Sequence, residues 1–236
     1  MSTITTNAIT TNTAAPNATT PDATTSNATT SNATSMGAPM DLSRLLPGFA
    51  DPVHDAQASF RTVLHALAEP GRVAELPVKL SAPAGLGVAR AAILLALSDY
   101  DTPVYLPPSV GEGEAAAWLR FHSGCPLVAN TEAAHFLALD GLAQLPGAEA
   151  MQPGSASYPD RSATLLIEVP ELAEGGPILL TGPGIEHSRS ISVGGWTSAT
   201  TRFLQANRAG FPLGVDLLLT CGDRLMGLPR TVIVEA

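Results

Sequence analysis

The stretch Gly87–Leu106, GVARAAILLALSDYDTPVYL, joins a segment that is apolar almost all round to a short strand-like run. An all-round apolar helix has no solvated face, so Gly87–Ser98 is expected to be a helix buried against other layers. Thr102–Leu106, TPVYL, follows as a short strand, and Pro107-Pro108 closes it. A buried helix feeding a short apolar strand is the repeating unit of an α/β domain.

Reading toward the N-terminus, Val73–Leu80 is expected as a strand interrupted by Pro77, hence at an edge or a bend. Before it, Asp51–Arg72, DPVHDAQASFRTVLHALAEPGR, has the marks of a helix with defined ends. Asp51 caps it and Pro52 suits its first position. Val53, Ala56, Phe60, Val63, Leu64 and Leu67 recur at helical spacing on one face, and Glu69-Pro70-Gly71 stops it. Asp55, Gln57 and Arg61 are polar additions that helix formation does not require. They are expected in a buried network or at a subunit contact.

Toward the C-terminus, Glu112–His122 has acid in its first turn and Arg120 and His122 in its last, as the helix dipole favours. Pro126–Ala129 is expected as a strand, and Thr131–Leu139 as a helix capped by Thr131. Gly141–Arg161 is rich in Gly, Pro, Ser and Ala and long enough to be a functional loop. Ala163–Val169 and Ile178–Thr181 are strands, and Thr197–Arg208 is a helix ended by Gly210. Val215–Glu235 contains two apolar strands around Gly222-Asp223, a hairpin signal, with a last strand from Thr231. The pattern is α/β: one domain with a mixed sheet flanked by helices.

Residues 1–40 differ from the rest. Thr, Asn, Ala and Ser dominate, with ATTPD, ATTSN, ATTSN repeated from Ala18, and too few large apolar residues for a core, so a disordered low-complexity tail is expected. Met36 and Met40 are alternative starts. Residues 41–236, about 195 residues, are of single-domain size. Of 21 acidic and 12 basic residues, giving a net charge of −9, only Asp22 lies in the tail; an acidic domain argues against a nucleic-acid surface. The apolar runs are far shorter than the roughly twenty residues of a membrane span. Cys125 and Cys221 make no disulfide framework, and a cytoplasmic location is expected.

The candidate chemistry is sparse. Gly85-Leu86-Gly87 begins like a dinucleotide fingerprint, but Arg90 takes the third glycine position and would obstruct tight helix packing. There is no P-loop. Thr181-Gly182-Pro183-Gly184 reads as a turn before it reads as an anion nest. Lys79 is the only lysine and stands without the phosphate loop a pyridoxal phosphate site needs. His54, His65, His122, His135 and His187 form no metal pair by spacing, and Cys125 and Cys221 look buried rather than activated. Neither a cofactor nor a metal is expected. Arg61, Arg120, His122 and Arg161, the last in Tyr158-Pro159-Asp160-Arg161, remain as candidates for contact with an anion or a partner.

Several segments, in order, carry a resemblance: DPVHDAQASFRTVLHALAEPG from Asp51, LLALSDYDTPVYL from Leu94, LRFHSGCPLV from Leu119, YPDRSATLLIEV from Tyr158, LTGPGI from Leu180 and FPLGVDLLLTCGDRLMGLPRT from Phe211. The pattern resembles the PhnH family of the bacterial carbon-phosphorus lyase system. The resemblance implies a fold like the large domain of pyridoxal-phosphate-dependent transferases without the cofactor, and a homodimer when isolated. It also implies work beside PhnG, PhnI and PhnJ, and functionally PhnL. With PhnG, PhnI and PhnL such proteins are associated with displacing adenine from ATP by a phosphonate, as ribose 1-methylphosphonate 5-triphosphate synthase. Read with the sparse chemistry, this implies a subunit without a complete active site of its own. The other readings are a pure assembly scaffold, or a stand-alone pyridoxal-phosphate transferase using Lys79.

Overall fold

The computed structural model describes residues 45–235, so the expectation for the N-terminal tail lies outside the described residues. A seven-stranded mixed sheet has the order β1-β9-β8-β5-β4-β2-β3, and a separate three-stranded sheet has the order β10-β6-β7. The larger sheet is built from β1 (Ala74–Glu75), β2 (Val104–Tyr105), β3 (Leu127–Val128), β4 (Phe136–Leu139), β5 (Thr164–Glu168), β8 (Asp216–Cys221) and β9 (Arg224–Leu228). β3, β2, β4, β5 and β8 run parallel, while β9 returns antiparallel over Gly222-Asp223 and β1 pairs antiparallel at the edge. Gly222 supplies the left-handed φ of 66° that the hairpin needs.

Alternate residues of each central strand face opposite ways. Leu166 and Leu218 point into a core with α1 (Pro52–Ala68), α2 (Val88–Leu97) and α4 (Glu114–Ser123). Leu165, Ile167, Leu217 and Leu219 point into a second core. That core is closed by α5 (Ser198–Ala209), the loop after β4, and the sheet of β6 (Leu172–Thr181), β7 (Arg189–Val193) and β10 (Ile233–Glu235). The α/β class with a mixed sheet holds, but a small sheet shares the covering of one face.

Three expectations need correction. Thr131–Leu139 is not a helix: Thr131–Ala133 makes one 3-10 turn, and Phe136–Leu139 is β4, paired to β2 on one side and β5 on the other. A short apolar run has no periodicity to separate a buried strand from a buried helix, and here the flanking parallel strands decide. Val73–Leu80 pairs only at Ala74–Glu75; beyond that the chain continues outside any ladder, anchored by buried Leu76 and Val78. The strand expected at Ile178–Thr181 starts at Leu172 and carries a register shift around Gly175-Gly176-Pro177, while its partner β7 was not foreseen.

The face that α1 turns to the sheet is not its apolar stripe. Its ends are as expected: Asp51 accepts from the His54 amide at 3.1 Å and Pro52 is the first residue. Of the apolar stripe, however, Val63 alone is buried, whereas Val53, Phe60 and Leu64 are 74, 48 and 56% exposed. The helix buries Ser59, Val63 and Ala66 instead, about a third of a turn away. The reason is close approach. A side chain on Gly227 of β9 would collide with the Ala66 carbonyl, and one on Gly184 with the Ala68 carbonyl. Only the helix's small residues fit against the sheet, so the large ones face outward.

Candidate functional site at the end of the parallel strands

β2 and β4 are neighbours whose chains leave in opposite directions. After β2, the chain enters α3 (Pro108–Gly111) and α4 on the helical face and returns as β3 on the outer side. After β4, it passes Leu142 and Met151 on the other face and returns as β5 on the inner side. Such a divergence leaves a crevice beyond the C-terminal ends of the strands, the place where open α/β sheets take ligands.

A cleft of about 470 Å³ opens there, lined by Gly85, Leu86, Gly87, Val110 and four polar residues. Arg90, on α2, has a side chain only 4% exposed. It donates through Nη1 to the Leu139 carbonyl at 3.0 Å and to Asp140 Oδ1 at 2.9 Å, and through Nη2 to the Gly85 carbonyl at 3.4 Å. Its Nε lies 3.4 Å from Glu168 Oε2 without hydrogen-bond geometry and is buried without a partner among the described residues.

The two carboxylates differ in what they have left to offer. Glu168 ends β5 and accepts from Thr220 Oγ1 at 2.6 Å and from the Gly222 amide at 3.0 Å, so each of its oxygens has a close partner within the fold. Asp140 follows β4 directly. Its Oδ2 accepts only a long 3.3 Å bond from Ser109 Oγ, which reaches across from α3. Two carboxylates against one guanidinium leave one unit of negative charge, so the crevice favours ligand groups that donate hydrogen bonds and disfavours phosphate. Gly87 belongs to this arrangement, since a Cβ there would sit 2.5 Å from Glu168 Oε2. Arg90 therefore does not obstruct helix packing as expected; it turns inward and becomes the cation of the site.

On the other side of α3 lies a second cleft of about 480 Å³ lined by Tyr105, Pro108, Glu112, Arg120 and Val128 among others. Arg120 lines it as an exposed cation with no ion pair among the described residues, a position suited to an anion. The remaining candidates stand elsewhere. Arg61 is exposed on α1 beside Phe60. His122 donates from Nε2 to the Leu46 carbonyl at 3.0 Å, an acceptor it shares with Trp118 Nε1, and packs edge-on against Trp118. Arg161 stacks over Tyr158 at 4.4 Å. Among the described residues no hydrogen bond or ion pair joins these four candidates.

Of the polar additions on α1, Asp55 accepts from the Asp51 amide at 3.0 Å, completing the cap, while Gln57 is exposed. Lys79 is exposed beyond β1. Cys125 is buried and Cys221 partly so, both as free thiols. Thr181–Gly184 forms a turn closed by the Ile185 amide and the Gly182 carbonyl and packs on the end of α1. Among the described residues there is no cluster of His, Cys, Asp or Glu with the makings of a metal site.

Known proteins bear on this geometry. Residues 47–235 match the family model described as bacterial phosphonate metabolism protein (PhnH). Over 187 residues, 79% of this chain and 94% of the relative, it is 38% identical to the alpha-D-ribose 1-methylphosphonate 5-triphosphate synthase subunit PhnH of Rhizobium meliloti (strain 1021). Over 179 residues, 76% of this chain and 85% of the relative, it is 32% identical to the putative C-P lyase subunit protein HtxG of Stutzerimonas stutzeri.

Proposed function

The chain belongs to the PhnH family of bacterial phosphonate metabolism proteins, and from that premise we propose that it is a subunit of a carbon-phosphorus lyase assembly that acts on organic phosphonates. In that role it takes part, with PhnG, PhnI and PhnL, in forming ribose 1-methylphosphonate 5-triphosphate. The reaction breaks the bond between ribose C1 and adenine in ATP and forms one from C1 to a phosphonate oxygen. The observation that carries this reading is the 38% identity over nearly the full length of a subunit with that printed activity.

The chain does not complete the reaction by itself in this reading. Its crevice holds Arg90, Asp140 and Glu168 in fixed pairing, and Arg120 faces a separate cleft, an arrangement for holding a substrate beside residues of other subunits. The exposed Val53, Phe60 and Leu64 on α1 supply the apolar surface that we assign to subunit contact, including self-association into a homodimer when partners are missing. PhnJ joins the same assembly, in the cytoplasm. The mixed sheet with its parallel centre supports likeness to the large domain of pyridoxal-phosphate transferases, used here without that cofactor. No observation favours the stand-alone transferase using Lys79.

Reconstitution tests the reading. With PhnG, PhnI and PhnL, ATP and methylphosphonate, adenine is released when this chain is present and not when it is omitted; the chain alone releases none. Full release without the chain, or appreciable release by the chain alone, defeats the reading.

A further inference from the structure

We propose that the crevice between β2 and β4 binds the sugar of the ribonucleotide substrate, with Asp140 Oδ2 accepting hydrogen bonds from ribose hydroxyls. The assignment rests on the subunit reading above and gives one of its substrates a place.

The crevice lies where two adjacent parallel strands send their chains to opposite faces, and its volume falls within the usual range for small-molecule sites. Its polar groups are built in advance. Arg90 is fixed by the Leu139 carbonyl and Asp140 Oδ1, which in turn fixes the Asp140 carboxylate at the mouth. Asp140 Oδ2 retains unused acceptor capacity, because an ionised carboxylate oxygen takes two hydrogen bonds and Ser109 offers one long one. Arg90 Nε is buried 3.4 Å from Glu168 Oε2, so the guanidinium stays in place behind the carboxylates and Asp140 Oδ2 is the group left to meet a ligand. A sugar hydroxyl supplies that need by donating to Asp140 Oδ2.

The charge balance points the same way. One surplus negative charge favours hydroxyl donors at this spot and turns phosphate away, while the unpaired Arg120 cation lines the cleft on the other side of α3. Pro108 lines one cleft and the next residue, Ser109, the other, so a sugar at Asp140 leaves its phosphate chain free to run toward Arg120.

Titration of the full chain with ATP and with 2′,3′-dideoxy-ATP tests the assignment. On the wild-type chain the dideoxy nucleotide binds at least about tenfold more weakly, the loss expected when a charged hydrogen bond disappears. On Asp140→Ala the two nucleotides bind alike. Asp140→Asn, nearly isosteric, gives the same reading if the alanine variant does not fold. Equal binding of the two nucleotides to the wild-type chain, no ATP binding, or discrimination surviving both substitutions overturns the proposal. Adenine release by the reconstituted complex separates the two readings. Release that needs the chain, without discrimination, removes the sugar site and leaves the subunit role. Discrimination, with release that does not need the chain, does the reverse.

Discussion

Arg90 is the sole charge in the helix Val88–Leu97, and a buried cation in apolar surroundings requires a counter-charge. Its partners carry the same mark in sequence: Glu168 is the one acid within Thr164–Glu168, and Asp140 ends the run Phe136–Leu139. Each stands alone in an apolar segment, a signal that was legible, yet nothing in the sequence tells that the three meet, because Asp140 and Glu168 lie 50 and 78 positions from Arg90. Of the residues singled out instead, Arg61, Arg120 and Arg161 are exposed, and His122 is tied to the Leu46 carbonyl and Trp118. Removing the cation from the triad leaves two carboxylates uncompensated. Arg90→Ala is expected to cost about 3 kcal/mol, the low end for a broken buried pair because both acids reach solvent. Urea denaturation measures it. The double substitution Arg90→Met with Glu168→Gln should recover part of the loss, and a double-mutant cycle without coupling between the two sites would show that the triad is not an energetic unit.

Helix limits were read well where side chains cap them and poorly where neighbours decide. Thr197 and Gly210 bound α5, and Asp51 bounds α1, because those signals are local. β4 is a strand only because β2 and β5 flank it, and α1 faces the way it does because Gly227 lets Ala66 come close. Gly227→Ala should therefore cost about 1–3 kcal/mol as the helix is forced off the sheet, visible as a lowered Tm. The cap has its own pH signature. Bonds from the His54 amide, and then from the His54 side chain, hold the Asp51 carboxyl below its ordinary value of 3.8. A depressed carboxyl stabilises the fold above its unfolded pKa and loses that contribution as pH falls through the folded value. The Tm gap between wild type and Asp51→Ala should hold at neutral pH and close on acidification below 3.8; a gap independent of pH would remove the cap's charge from the account.

At the scale of the molecule, the α/β class and the order of most elements were legible, whereas the second sheet was missed, since β7 offers only the short alternation Ser190-Ile191-Ser192-Val193 and takes its place by pairing with β6. The largest consequence of what was missed lies on α1. The spacing of Val53, Phe60 and Leu64 marks an apolar stripe, and the fold turns that stripe outward. Amphipathic spacing tells that a face wants cover but not whether the cover comes from the same chain. The same-chain requirement is met by Ser59, Val63 and Ala66, so the outward stripe is free to serve another chain. Replacing exposed apolar groups by acids removes no packing inside the fold. Phe60→Asp with Leu64→Asp should leave Tm within a few degrees of wild type, yet abolish co-purification with the other subunits and, with it, adenine release by the reconstituted assembly. Pull-down with tagged PhnI alongside a melting curve decides the matter. An unchanged Tm with full assembly would mean the stripe is not a contact surface, and a collapsed Tm would mean it is covered within the chain after all.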